Sequence, residues 1–219
     1  MDPRVADSPG VGASSCPDAS DSAASLARLL GVASEISGRI NAILDPDELL
    51  NAVIPLLKEG FGFYYVHVYT FDREQETLYL RAGYGTPGRE MLARGHRIPV
   101  DAARSLVAQA ARTRKPVTVN DVTTSPAFLP NPLLPDTRSE LALPMVVGDD
   151  VLGVFDVQDD RVNAFTQVYQ DVLFALSGQI ATALQNARYV ERITQSLEET
   201  QIRLTISQAL GEAQTVRAR

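Results

Sequence analysis

Two apolar runs separated by a short polar break dominate the pattern along the chain: residues 141–147 (LALPMVV) and 151–157 (VLGVFDV), with Gly148, Asp149 and Asp150 between them. Gly accepts positive φ and Asp tolerates turn geometry, so the spacing predicts a tight hairpin. Runs this apolar predict strands covered on both faces, in the middle of a sheet. Pro144 removes a ladder donor and predicts a bulge, while Gly153 leaves room for a close approach.

Upstream, Leu26, Leu29, Leu30, Ala33, Ile36, Ile40 and Ile43 recur at helical spacing. Asp45 and Pro46 then break that helix and start another, as N-cap and first-turn proline. The second helix carries Leu49, Leu50, Val53, Ile54, Leu56 and Leu57, with Pro55 predicting a kink. Residues 63–71 (FYYVHVYTF) and 77–84 predict two strands around a polar turn. Residues 86–97 read as turn-like with a single helical turn, 97–100 as a short strand, 105–113 as a short amphipathic helix and 116–119 as another short strand. Four prolines (Pro126, Pro130, Pro132 and Pro135) exclude regular structure from 120–137, and a loop of that length suggests a lid or binding loop.

From Ala164 or Phe165 the chain reads as one long helix. Tyr169, Leu176, Ala183, Val190, Leu197 and Leu204 recur at heptad spacing, broadened by Val172, Leu173, Ile180, Ala187 and Ile193. The broad first half predicts packing on the sheet. Beyond Ala187 the stripe narrows and is flanked by Glu191, Arg192, Glu198, Glu199 and Arg203, which suits a coiled coil. Continuous to Leu210, the helix would be about 69 Å long at ~1.5 Å per residue, and it must project beyond the domain. The seam of Leu176, Ala183, Val190, Ile193, Leu197 and Leu204 is therefore expected to carry a homodimer.

Composition narrows the function. The net charge of −7 argues against a nucleic-acid surface. No stretch is long and apolar enough to span a bilayer, and no signal peptide is visible, so a cytoplasmic location is expected. Residues 1–22 are poor in large apolar side chains and read as a disordered tail. The single cysteine, Cys16, falls in that tail and excludes an intramolecular disulfide or a cysteine zinc site. Phosphate-loop, zincin and nucleophile-elbow motifs are absent, so no enzymatic activity is expected. His67 and His96 lack metal-ligand spacing, His67 lying mid-strand among aromatics and His96 reading as exposed. Asp149-Asp150 and Asp159-Asp160 are expected to be turn chemistry.

In sum, the order of elements resembles a GAF domain, a small-molecule-sensing relative of the PAS fold. The residues that carry the resemblance are IPVDAARSLVAQAARTRKPVTVNDV (98–122), SELALPMVVGDDVLGVFDV (139–157) and LSGQIATALQNARYVER (176–192). It implies an α+β fold: a central antiparallel sheet of five to six strands, N- and C-terminal helices packed on one face, and a long C-terminal signalling helix. It also implies a ligand pocket on the other face under the Pro-rich loop. The expected divisions are a tail over 1–22, a signalling helix over 23–44, a GAF-like domain over 45–190 and a coiled-coil linker over 191–219. Residues 205–210 (TISQAL) echo 35–40 (EISGRI), which suggests that a further module follows.

The resemblance permits several ligands. The NKxxFxxxDE pattern of cyclic-nucleotide members is absent. Asp121-Val122-Thr123 stands where related photoreceptors carry an Asp-Ile-Pro segment, and the domain has no thiol for a tetrapyrrole. The methionine sulfoxide reductase branch uses several cysteines. No cofactor is therefore predicted. Pocket candidates are His67, Ile98, Val100, Asn120, Asp121, Phe128, Arg138 and Phe155, with Arg138 suited to an anion. The expected role is a sensory module that dimerises through its flanking helices and signals to an output such as the histidine kinase of a two-component system. A ligand-free structural dimeriser and a photosensor are the alternatives.

Overall fold

The computed structural model describes the backbone of residues 19–217 and the side chains of residue 24 and residues 26–206. Most of the expected tail, Cys16 included, lies outside the described residues. Helix α1 (Ala19–Ile40) starts ahead of the expected boundary at 23. Helix α2 (Pro46–Phe61) begins as its sequence dictates, with Asp45 accepting a hydrogen bond from the Glu48 amide at 2.7 Å and Pro46 in the first turn. It ends at Gly62, whose φ of 74° lets its N–H reach the Lys58 carbonyl at 2.9 Å. The helix runs through Pro55 without a break. Asp45→Ala should lower stability by about 1 kcal/mol in chemical denaturation, because the Glu48 amide loses its only side-chain acceptor.

Strands β1 (Tyr65–Asp72), β2 (Thr77–Gly83), β3 (Arg97–Pro99), β4 (Val117–Val119), β5 (Ser139–Val147) and β6 (Asp150–Asp159) form one antiparallel sheet in the order β3-β2-β1-β6-β5-β4. β1 and β6 take the two central places and β5 lies between β6 and the edge strand β4, so both strands of the β5–β6 hairpin are paired on each side, as their apolar runs require. Its turn is Gly148-Asp149 alone, with Gly148 at φ 59°, the position where a two-residue turn needs glycine. Asp150 opens β6 and pairs with Arg73 at 2.9 Å. The irregularity expected at Pro144 falls one step later, between Met145 and Val146.

Residues 86–97 carry more helix than the single turn expected there. Helix α3 (Gly85–Ala93) occupies most of the segment. Its Pro87 lies in the first turn, where a missing N–H is harmless. Its Gly88 touches the end of β2 so closely that a Cβ would lie 2.3 Å from the Gly83 carbonyl carbon. Helix α4 (Leu106–Thr113) is capped by Ser105, whose side chain accepts from the Ala108 amide at 3.1 Å. Residues 120–137 are irregular apart from a single 3-10 turn (Val122–Thr124).

The sheet separates two cores. One face carries Val66, Val68, Leu141, Leu143, Phe155 and Val157 against α1, α2 and helix α5 (Gln167–Arg217). The other carries Tyr69, Leu78, Leu80, Ala142 and Val154 against α3, α4 and the long loop. In α5, Val172, Leu173, Leu176, Ile180, Ala183 and Leu184 are buried in the first core, and Ala187 beyond them is buried as well. Leu176 and Ala183 are therefore used by their own domain and are removed from the expected dimer seam. Val190, Ile193, Leu197 and Leu204 are exposed. No helix among the described residues is long and apolar enough to cross a membrane.

Candidate functional site

A cavity of about 430 Å³ opens on the sheet face opposite the terminal helices. β1, β5 and β6 form its floor, α3, β3 and α4 its sides, and Leu129 to Leu133 its edge. The strand period of two decides which residues enter it. Along β6, Asp156 and Gln158 face the cavity, whereas Phe155 and Val157 point into the helix-backed core. Along β1, His67 and Tyr69 face it, and along β5, Glu140 does.

The floor is polar and almost closed to solvent. His67 stands opposite Asp156 in the β1–β6 register, and its Nδ1 lies 3.2 Å from Asp156 Oδ2. Gln158 donates from Nε2 to the same oxygen at 3.1 Å, while its Oε1 accepts from Thr137 at 2.7 Å. His67 Nε2 and Asp156 Oδ1 are buried without a hydrogen-bond partner. Burial pushes the Glu140 carboxyl well above its ordinary value, and the neighbouring Asp156 carboxylate, by its charge and by a hydrogen bond shared with Glu140, pushes it the same way. Burial, then the Asp156 and Glu140 carboxyls, raise the Tyr69 phenol likewise. His96, whose ring lies 6.0 Å from Tyr69, is held below the usual imidazole value by burial and by His67. Among the described residues no group of His, Cys, Asp and Glu is arranged to hold a metal.

The raised Glu140 value has a consequence for stability. The folded state holds the Glu140 proton more tightly than the unfolded chain, so its contribution is complete below the ordinary value of 4.5 and is lost as pH rises through the folded value. Glu140→Gln should flatten that dependence. Between about pH 5 and pH 8 the wild-type melting temperature should fall more than that of the variant, as thermal scans would show.

Of the sequence candidates, His67 and Ile98 line the cavity. Val100 and Phe128 pack in the core beneath the loop. Asn120 instead clamps the start of α5, accepting from the Phe165 amide at 3.1 Å and donating to its carbonyl at 3.2 Å. Asp121 caps the 3-10 turn through Thr123, at 3.0 Å to the amide. Arg138 is exposed and acts through its backbone, with its N–H on the Asp159 carbonyl at 2.8 Å. Phe155 faces the opposite core, a correction that follows from strand parity. His96, expected to be exposed, is half-buried on the cavity wall. Asp159 grips Arg161 at 2.8 and 3.0 Å, the strand-end role expected of it. Glu140, Asp156 and Gln158 were missed, although a polar residue at every second place in an apolar strand was a visible signal.

A sheet with helices behind it and a covered cavity in front defines an α+β domain class. Within that class the chain belongs to the GAF domain family, which matches residues 43–185. It is 29% identical over 121 residues to GAF domain-containing protein A of Dictyostelium discoideum, covering 55% of this chain and 70% of that protein. The GAF domain of a phosphoenolpyruvate-protein phosphotransferase from Coxiella burnetii superimposes with a TM-score of 0.68 at 18% identity, covering 76% of this chain and 98% of that one. The free methionine-R-sulfoxide reductase of Neisseria meningitidis, solved with its substrate, does so with a TM-score of 0.65 at 23% identity, covering 76% and 93%. Two further reductases of that kind share the fold. The same fold thus carries catalysis in other proteins, and the expectation that this segment is not enzymatic is withdrawn. Motif searches look for residues close in sequence, whereas this floor is assembled from three separate strands.

Proposed function

We propose that this chain is a sensory or regulatory GAF module of a cytoplasmic signalling protein. Its cavity holds a small molecule, residues 45–190 form the binding unit, and residues 23–44 and 191–219 are signalling helices that pair with those of a second copy. The observation that carries this reading is the cavity floor, where His67 Nε2 and Asp156 Oδ1 are buried without partners. Buried polar atoms are nearly always satisfied, so two orphans facing one cavity mark a place for ligand atoms.

The floor is also wired to the helices. Asp156 lies between Phe155 and Val157, whose side chains share a core with Leu173, Leu176 and Ile180 of α5. A ligand that binds two positions of α5 unequally shifts their populations. Such a shift suits an output domain carried on α5, and a histidine kinase of a two-component system is the output that a long helix with a narrow apolar seam favours.

Native mass spectrometry of the purified chain tests the reading. A dimer carrying extra mass that is lost on denaturation supports it and weighs the ligand. A bare chain that takes up no small molecule from a metabolite screen overturns the sensor, and a monomer overturns the relay.

A further inference from the structure

The floor of the cavity balances its own charge. His67 Nδ1 faces the Asp156 carboxylate at 3.2 Å, and Gln158 donates to the same oxygen at 3.1 Å. Glu140, which burial and Asp156 keep protonated, shares a hydrogen bond with that carboxylate. Asp156 is therefore met from within the fold. His67 Nε2 is not. His67 is 1% exposed and lines the cavity, and this nitrogen has no partner among the described residues. Nδ1 holds the proton that faces the carboxylate, so in the neutral ring Nε2 is an acceptor. Buried acceptors are nearly always paired, and this one calls for a single donor.

The rest of the lining asks for no charge. Met91, Leu106 and Val107 wall the cavity with buried apolar side chains, and Ile98 and Leu133 add half-buried ones. The Tyr69 ring stands 5.7 Å from that of His67 and 6.0 Å from that of His96, tilted by 57° and 60°. A flat ring extends such an aromatic surface. His96 is held below the usual imidazole value and so stays neutral at neutral pH. The arginines at the mouth are exposed, and two of them are engaged. Arg94 pairs with Glu90, and Arg104 donates to the Pro126 and Phe128 carbonyls at 3.2 and 3.1 Å. Arg97, the third, is open to water, which screens its charge. A charged ligand would give up its hydration here for little return.

We propose that the cavity takes an uncharged aromatic molecule of one or two fused rings, a phenol or an indole, whose single hydroxyl or ring N–H donates to His67 Nε2. An apolar cavity of roughly 150 Å³ admits benzene, so about 430 Å³ leaves room for a second ring. An anionic ligand would meet the Asp156 charge, and a cationic one would find that carboxylate already engaged. The proposal rests on the sensor reading above and narrows it.

Isothermal titration of the full chain tests it with phenol and indole, each beside its isostere without a donor, toluene and indene. Phenol or indole should bind about fivefold or more tightly than its isostere, the factor that one neutral hydrogen bond supplies. Benzoate and benzylamine, charged counterparts of the one-ring probes, should bind about tenfold or more weakly than phenol. The chain has two histidines, so imidazole nitrogen NMR separates His67 from His96. The His67 Nε2 resonance should move with phenol or indole, and far less with toluene or indene. His67→Gln should erase the preference for the donor. Where melting shows that His67→Gln fails to fold, the isosteres and the His67 resonance of the wild type decide. Isosteres that bind as tightly as the donors, a charged counterpart that binds best, or a His67 resonance that does not respond overturn the proposal. A panel that stays silent at millimolar concentration overturns it too. A co-purifying charged ligand overturns this proposal and leaves the sensor standing, whereas a silent panel together with a bare chain that takes up nothing removes both.

Discussion

Gly153→Ala should destabilise the domain by about 3 kcal/mol or more, a large share of the roughly 5–15 kcal/mol that holds a typical domain folded. A Cβ at this position would lie 2.0 Å from the Tyr69 carbonyl oxygen, 2.7 Å from Met145 Cε and 3.0 Å from Thr70 Cα. The methionine methyl can swing away. The β1 backbone cannot, because Thr70 pairs with Gly153 and Tyr69 with Val154 in the ladder that joins β1 to β6. Moving it would also shift His67 against Asp156, two register steps along the same pair of strands. Urea denaturation gives the loss, and Gly31→Ala is the control. Gly31 lies in α1 with nothing within 4 Å of its added methyl, so that change should stabilise by about 0.5–1 kcal/mol. A Gly153→Ala loss below about 1 kcal/mol would show that the two strands can part more easily than their contacts indicate.

The sheet was legible because its strands announce themselves locally. Alternation or continuous burial, the Gly148 turn and the proline-rich loop are all signals of near neighbours in sequence. The antiparallel order followed only from the family resemblance. Helix α3 was legible only as a single helical turn, since Gly85, Pro87 and Gly88 imitate a turn; what extends the helix is Gly88 fitting against Gly83, a tertiary contact. The site was half legible. His67 stood out as the polar residue of an apolar strand, and Ile98 by its place in the family pattern. Their partner Asp156 lies 89 residues from His67, and no local rule gives the register that sets them opposite each other. Strand parity was available, however. Asp156 and Gln158 share a face, and Phe155 cannot share it, so choosing Phe155 for the pocket was an avoidable error. Asn120 and Asp121 misled for the opposite reason: polar residues beside a long loop look like ligand groups but here satisfy backbone amides.

The same distinction between local pattern and tertiary use governs the second large effect. Ile193→Glu combined with Leu197→Glu should turn a dimer into a monomer while leaving the binding unit folded. Ile193 and Leu197 are 61% and 65% exposed, so their own domain derives little from them. A single helix projecting into water is marginal without a partner, yet Val190, Ile193, Leu197 and Leu204 keep an apolar seam along it. Glu191, Arg192, Glu198, Glu199 and Arg203 flank that seam, as charged edges flank a paired coil. In a two-fold pair the substitutions would place four carboxylates in the seam. At about 1 kcal/mol or more each, that weakens association by roughly a thousandfold. Light scattering should show the mass halve, while the melting temperature of the domain holds, because no residue of either core is touched. A variant that stays dimeric would move the interface to the exposed Leu26 and Leu30 of α1. A wild type that is already monomeric would leave α5 with no partner through which occupancy of the cavity could be relayed.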